Sequence, residues 1–478
     1  VVREWWRSAP LERRRTVRLV AVSAVAGAVA AVGAVGAAGP WESGQRKAER
    51  DRAAAGAASA ADRHAGPVRP TAPPVLAALG GRATAQEPTR DGLAAVLEPL
   101  LKDAALGSDR SAAVYDATTG RQLYGSAQDT AYTPASTIKP ATAAAALAAL
   151  GPDHRIDTTV VAGGDGIVLV GGGDPTLTAH PAKAGPQRPA SLEALAEATA
   201  RRLKERGTDR TKVAYDASLY SGPAVHTIGP NENLAPVSAL MTDEGRLDDS
   251  DHGPAARTAD PAGDAARKFA EMLGGQGIKV DGEVTQGGAG AKAERLASVS
   301  SPPLGALVER ALTNSDNDIA EALARQTALA SGRPASFEGA AKAVTERLDK
   351  LGLPGVHVAD GSGLDRADQA SAGFLAQLLV RAADPAHPEL RPVLTGLPVA
   401  GFSGTLSGRY ADEEAGRGTV RAKTGTLTGV NTLAGTAVSA DGRLLTFAFM
   451  ASGTSDADAA QRVLDRMATA VASCGCRG

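Results

Sequence analysis

Three short stretches hold residues whose types and spacing can do chemistry. Ser136-Thr137-Ile138-Lys139 sits where a proline-marked loop runs into the alanine-rich "KPATAAAALAAL". Three positions apart at a helix start, the serine and the lysine fall on one face, one above the other. Such a pair is either a nucleophile beside its base or a serine cap with an ordinary lysine. Alone, the stretch does not choose. Ser315-Asp316-Asn317 lies between two helical patterns, and Lys423-Thr424-Gly425, followed by Thr426, lies on a strand pattern. A serine that attacks an amide needs a base. The seven histidines stand in no triad context, whereas a lysine can serve when it is neutral.

In this order, S-x-x-K, S-x-N and K-T-G form the signature of penicillin-binding proteins and class A β-lactamases. Further stretches are "GGGDPTL" (171–177), "SDNDIAEALAR" (315–325), "DGSGL" (360–364), "GTLSGR" (404–409) and "KTGTLTGVNTLAG" (423–435). On these residues the chain resembles the low-molecular-mass penicillin-binding proteins of the D-alanyl-D-alanine carboxypeptidase/endopeptidase family, from about Val75 to the C-terminus. The resemblance implies a serine-type D-Ala-D-Ala carboxypeptidase, with endopeptidase action at the same site, that trims peptidoglycan stem peptides. β-Lactam antibiotics such as penicillin are then covalent inhibitors. No cofactor or metal is implied.

The resemblance assigns Ser136 as nucleophile and Lys139 as general base. It brings Lys423 to the same cleft, where two cations disfavour each other, so Lys139 is expected to be the neutral lysine. Ser315 is expected to relay the proton to the leaving D-alanine amine. Asn317 should hold Lys139 and accept a substrate N–H, and Asp316 should point away. Lys423, Thr424 and Thr426 should take the terminal carboxylate, with Gly425 letting the strand approach the substrate. The oxyanion hole maps onto the backbone N–H groups of Ser136 and Thr426, with support from the helix dipole at Ser136.

Two rivals are weaker. A class A β-lactamase places a glutamate after S-D-N to activate water, and no E-x-x-L-N follows Asn317. A non-catalytic binder of wall peptides or β-lactams has no need of an intact Ser136, Lys139 and Asn317. Other tempting residues read as structural. "GGGDP" is a turn, since no G-K-[ST] follows it. Ser362 in "DGSGL" has no lysine three residues on and reads as a loop at the cleft rim. Asp243, Glu244, Asp248, Asp249 and Asp251 fit no EF-hand and read as a solvated loop.

The elements that must position these residues are legible in outline. "DGLAAVLEPLLKDAAL" is helical, and "SAAVYDATTGRQLYG" reads as two strands about a turn at Thr119-Gly120. "TTVVAGGDGIVLV" is a hairpin, "SLEALAEATARRLKERG" an amphipathic helix and "KVAYDASLY" a strand. Residues 220–262 are turn-rich and acidic, and a helix and a strand follow. "PPLGALVERAL" and "DIAEALARQTAL" are helices. "GTVRAKTGTLTG", "NTLAGTAVSA" and "RLLTFAFMAS" are three successive antiparallel strands, closed by the helix "DADAAQRVLDRMATAVA". The expected class is α+β. An antiparallel sheet from both chain ends, covered by helices, forms a discontinuous peptidase domain (91–157 and 301–478) around a smaller α/β domain inserted at 158–300. Ser136 and Ser315 stand 179 positions apart, which exceeds the short helical insert of a class A β-lactamase and falls short of the family's larger members, so a full third domain is not expected.

Ahead of this lie a basic segment (1–18), an uncharged stretch at Leu19–Gly39 and a polar, Pro-rich linker (40–90). As a helix the uncharged stretch would span about 31 Å. Six arginines precede it, which keeps the N-terminus cytoplasmic, and Trp41 follows it at the outer interface. An uncleaved membrane anchor is favoured over a cleaved signal segment. Both place the catalytic part outside the cytoplasm. A net charge of −2 argues against a nucleic-acid partner. Cys474 and Cys476 are too few for a structural zinc site and read as a terminal tail with a local disulfide.

Overall fold

Strand patterns from the two ends of the peptidase portion meet in one sheet. The computed structural model describes residues 87–181 and 188–476. Its elements run α1 (Arg90–Leu101), β1 (Asp109–Asp116), β2 (Gln122–Ser126), β3 (Ala131–Tyr132), α2 (Lys139–Leu150), β4 (Asp157–Ala162), β5 (Gly166–Val170), α3 (Leu192–Glu205) and β6 (Arg210–Asp216). Next come α4 (Pro261–Gly275), β7 (Lys279–Val280), β8 (Thr285–Gln286), β9 (Arg295–Ser300), α5 (Leu304–Asn314), α6 (Asn317–Ala330) and α7 (Phe337–Lys350). The chain ends with β10 (Ala370–Ser371), α8 (Ala372–Ala383), α9 (Arg391–Thr395), β11 (Val420–Leu427), β12 (Val430–Val438), β13 (Leu444–Ser452) and α10 (Ala457–Ser473).

The main sheet has the order β11-β12-β13-β1-β2 and is antiparallel throughout. Alternation along β1 sends Ala112 and Val114 to one face and Ala113 and Tyr115 to the other. Both faces are buried. The first packs with Leu93, Leu97, Val463 and Met467 of α1 and α10. The second packs against α2, α5, α6, α7 and α8. α2 is buried from Lys139 through Leu147, as an apolar helix inside a helical layer must be. Its alanines let α6 and α7 approach closely. A second sheet, β7-β6-β5-β4-β9 with β8 beside β6, is built from the chain between Asp157 and Ser300. It has its own apolar cluster around Leu169, Leu195 and Phe269.

Several expectations need adjusting. The first helix stops at Leu101 and continues only as a separate 3₁₀ turn, Ala104–Leu106. β5 and β6 pair parallel, which the strand patterns did not reveal. α7 and α8 fill a stretch the sequence reading left without elements. The local disulfide expected at the C-terminus joins Cys474 and Cys476, but the segment is packed: Cys474 joins the core, and the Cys476 carbonyl accepts from the Thr89 N–H at 2.9 Å. Among the described residues no helix is long and apolar enough to cross a membrane. The expected anchor at Leu19–Gly39 and nearly all of the linker lie outside the described residues.

Candidate active site

Ser136 does not open the α-helix, as its sequence context suggested. It lies in a 3₁₀ turn, Ala135–Ile138, that leads into α2 at Lys139. Ala135 has φ 50°, a left-handed conformation that costs about 1 kcal/mol or more in a residue with a side chain. The neighbours hold it there. Thr137 Oγ1 donates to the Pro134 carbonyl at 2.7 Å, and Thr432 Oγ1 of β12 donates to the same carbonyl at 2.8 Å. Two glycines let backbone pass on either side. A Cβ on Gly363 would strike the Ala135 carbonyl, and φ there is +84°. A Cβ on Gly425 would lie 2.7 Å from Pro134 O and 3.1 Å from Thr137 N. Gly425 therefore lets β11 approach the turn that carries Ser136.

Lys139 is fully buried behind this turn. Its Nζ donates to Ser136 Oγ at 2.8 Å, Asn317 Oδ1 at 2.7 Å and the Ser362 carbonyl at 2.5 Å. Asn317 is fixed at its other end, where Nδ2 donates to the Asn233 carbonyl at 2.9 Å. One lone pair of Oδ1 is left for a substrate N–H. Asp316 caps α6 by accepting from the Ile319 N–H at 3.0 Å, which explains a carboxylate between two polar site residues. Ser362 is not at the rim: it is wholly buried, and its carbonyl closes the cage around Lys139.

Lys423 on β11 is equally buried. Its Nζ donates to Ser315 Oγ at 2.8 Å and to the Thr424 carbonyl at 2.7 Å. Ser315 adopts φ 58° at the C-terminus of α5, which turns the chain sharply into α6. Thr424 Oγ1 donates to Thr405 Oγ1 at 2.9 Å. The two lysines differ electrically. Burial lowers the Lys139 pKa to about 8, while Asp360, Asp316, Glu321 and Asp368 hold it up. Burial and the neighbouring Lys139 push Lys423 well below the usual lysine range. Burial thus favours the neutral form of both lysines, and only Lys139 has carboxyl groups opposing that push.

Ser136, Ser315, Asn317, Thr424 and Thr426 all line one cavity of about 380 Å³. Arg246 and Arg257 from the segment before α4 form part of its wall. The acidic stretch in that segment is only partly solvated. Asp248, Asp249 and Asp251 are exposed. Glu244, by contrast, is buried between Arg246 and Arg310, and Asp243 accepts from Thr178 Oγ1 at 2.6 Å. The charge run was visible in sequence; the distant arginine Arg310 was not. Two buried groups bring potential metal ligands within 4.8 Å of one another: His226, Glu321 and Asp360, and Glu244, Asp316 and Asp318. In the first, ring and backbone N–H groups already donate to the carboxylates. In the second, arginines pair with Glu244 and Asp318. Both are polar networks, and each keeps one buried carboxylate oxygen without a partner, Glu321 Oε2 and Asp316 Oδ2.

Comparison with known proteins adds an independent line. The profile of the D-Ala-D-Ala carboxypeptidase 3 (S13) family matches residues 93–255 and 250–473. The chain is 38% identical over 432 residues to Carboxypeptidase Rv3627c of Mycobacterium tuberculosis, across 86% of this chain and 90% of that one. It is 30% identical over 426 residues to the D-alanyl-D-alanine carboxypeptidase of an Actinomadura species, across 73% and 79%. The crystal structure of penicillin binding protein 4 (dacB) from Haemophilus influenzae shares the fold, with a TM-score of 0.64 at 23% identity, over 80% of this chain and 97% of that one.

Proposed function

The chain belongs to the D-Ala-D-Ala carboxypeptidase 3 (S13) family and is a D-Ala-D-Ala carboxypeptidase, and from that premise we propose how its cleft works. Ser136 is the nucleophile and Lys139 its general base. The observation that carries this reading is the 2.8 Å contact between Lys139 Nζ and Ser136 Oγ in the wall of an open cavity. The substrate is a peptidoglycan stem peptide. Its terminal carboxylate meets Lys423, Thr424 and Thr426, and the anion makes Lys423 a cation. That cation in turn disfavours charge on Lys139 and leaves it free to act as base.

Ser136 Oγ then attacks the penultimate D-alanine carbonyl and passes its proton to Lys139. The backbone N–H groups of Ser136 and Thr426 stabilise the oxyanion. As the C–N bond breaks, the proton returns through Ser315 to the leaving D-alanine amine. Water repeats the sequence in place of the amine and releases the shortened peptide. A cross-linked peptide whose leaving group carries a free carboxylate fits the same requirements, as does a β-lactam, which stays attached to Ser136. Residues 158–300 form an inserted domain beside the cleft, and the protein works outside the cytoplasmic membrane, anchored by Leu19–Gly39. The support for that location is the uncharged stretch and the six arginines before it; release from membranes by carbonate wash would rule out a spanning anchor.

The test of the chemistry is mass spectrometry. A stem pentapeptide should lose one D-alanine, and a labelled penicillin should map to Ser136. A label on Ser315 or Ser362 would overturn the assignment.

A further inference from the structure

The segment between β6 and α4 reads in sequence as a polar surface, yet it touches the cage of Lys139 from two sides. The Asn233 carbonyl holds Asn317. Seven residues earlier, His226 is buried, 5% exposed, between the exposed Val225 and Thr227. Its Nε2 lies 2.9 Å from Asp360 Oδ2. The Ile228 N–H donates to Nδ1 at 3.2 Å, so Nδ1 carries the lone pair and the ring proton sits on Nε2, aimed at Asp360. The Phe337 ring meets the imidazole edge-on at 5.2 Å and fixes its plane.

Asp360 is the hub of the loop that follows. Its Oδ1 accepts from Ser362 N at 3.0 Å and Gly363 N at 2.5 Å. Its Oδ2 accepts from Asp365 N at 2.7 Å and Ser362 Oγ at 3.2 Å. These bonds aim the Ser362 carbonyl at Lys139 Nζ, with Ser136 Oγ 3.4 Å from the same oxygen. Thr227, next to the histidine, adds a second tie from Oγ1 to Asp365 Oδ2 at 3.0 Å.

We propose that His226 is a positioning residue for Lys139, acting through Asp360 and the carbonyl of Ser362. The inference deepens the reading of Ser136 and Lys139 as nucleophile and base, and rests on it. The carbonyl is one of three acceptors that set where Nζ points. A misplacement on the order of 1 Å in such a group can cost about 100-fold in rate. The charged and titratable groups around the ring are Asp360, Asp365 and Glu321, with Arg325 stacked on the far partner Phe337. None of them is substrate-facing chemistry, so the effect must travel through the loop.

The test measures D-alanine release from a stem pentapeptide across pH. His226→Leu should lower kcat about 10- to 100-fold with little change in KM. Its acidic limb should move to lower pH, because Lys139 loses an acceptor that favours its charged form. His226→Gln keeps an amide donor near the Nε2 position and should restore most of both. Thr227→Val, at an exposed residue, pulls on the same loop without touching the buried ring and should change both in the same direction, by less. A histidine that served stability alone would alter the melting temperature and leave kcat and the limb in place. Release that survives Ser136→Ala overturns the serine–lysine reading and this inference with it. Ser136-dependent release with wild-type kcat and limb in a folded His226→Leu overturns the inference alone. If His226→Leu does not fold, an unmoved kcat and limb in Thr227→Val does the same.

Discussion

Two serine–lysine pairs, each with Nζ 2.8 Å from Oγ, present their serines to one cavity, and they differ in what stands behind them. Behind Lys139 are a carbonyl, an amide oxygen and the carboxyl groups of Asp360, Asp316, Glu321 and Asp368. Behind Lys423 is the sheet, and no carboxyl group raises its pKa. Burial pushes both lysines toward the neutral, basic form, so neutrality alone does not single out one pair. The lesson is that the resting cleft does not choose its nucleophile by itself. In the proposed mechanism the substrate chooses: its carboxylate makes Lys423 a cation, and only Ser136 is left beside a base. Supporting carboxyl groups behind Lys139 keep it hydrogen-bonded and aimed until that moment.

The largest expected effect breaks the first pair. Lys139→Ala should lower acylation by about 10²- to 10⁴-fold, the range for loss of a general base. Lys139→Arg should do no better, because a guanidinium does not deprotonate. Stopped-flow acylation by a chromogenic β-lactam measures both; near-normal rates in either would place the base elsewhere. The second pair should respond differently. Lys423→Ala loses a charge-assisted hydrogen bond to the carboxylate, about 1.5–3 kcal/mol or roughly 10- to 150-fold, and Lys423→Arg loses less. The acidic limb of kcat should move up in the alanine variant, since Lys139 then keeps its proton more easily. A peptide with an amidated C-terminus should be poor with wild type and should lose little more. Equal harm to free and amidated peptides, with the limb unmoved, would remove Lys423 from its assigned role.

A smaller effect lies at the joint between the pairs. Gly425 lets the strand of Lys423 pass against the turn of Ser136. Gly425→Ala places a methyl 2.7 Å from Pro134 O and against the buried Thr432 Oγ1. Overpacking of this kind costs about 1–3 kcal/mol of stability, readable in urea. Acylation and carboxylate selectivity should fall together, because both pairs shift. Gly408→Ala, whose Cβ meets nothing within 4 Å, sets the baseline. A Gly425→Ala variant as stable as Gly408→Ala would show that β11 and the turn are not in close contact.

How much of this was legible in the sequence follows the range of each signal. The antiparallel sheet was readable because β11, β12 and β13 follow one another as apolar runs separated by turns. The three motifs were readable because residue type and order carry the chemistry. The cage behind Lys139 was not. Ser362 contributes a backbone carbonyl, which leaves no trace in residue type. His226 and Asp360 are 134 positions apart, and a lone histidine in a turn-rich stretch looks like surface. Glu244 looked solvated because its partner Arg310 lies on α5. The carboxyl groups that oppose the lowering of the Lys139 pKa were hidden for the same reason: Asp316, Glu321, Asp360 and Asp368 are far from Lys139 in the chain. The loop of Ser362 was itself visible as "DGSGL", but not its depth, although glycines on both sides of a polar residue often mark a close backbone pass.

The smallest predicted effect tests whether those carboxyl groups belong to one side of the comparison. Asp368 Oδ1 accepts from the Ala359 N–H at 2.7 Å, while Oδ2 is buried without a donor. Burial and the adjacent Asp360 push its pKa up to about 9. Asp360 itself resists burial through its bonds from His226, Gly363 and Asp365 and is held down at about 2. One proton between the two carboxyl groups satisfies both. Because the folded pKa of Asp368 lies above its ordinary value of 3.8, the stability it contributes is fully present in acid and is lost as pH rises through about 9. Asp368→Asn carries permanent hydrogens where the acid needs a proton, so this site no longer contributes a slope. The fall in melting temperature between about pH 5 and pH 8 should therefore be smaller in Asp368→Asn than in wild type. Lys423 has no such cluster behind it, so Lys423→Ala should leave the portion of the slope owed to Asp368 in place. If Asp368→Asn keeps the whole wild-type slope, then Asp368 is ionised beside Asp360 in the folded protein, and the charge standing behind Lys139 is one unit more negative than the hydrogen bonds imply.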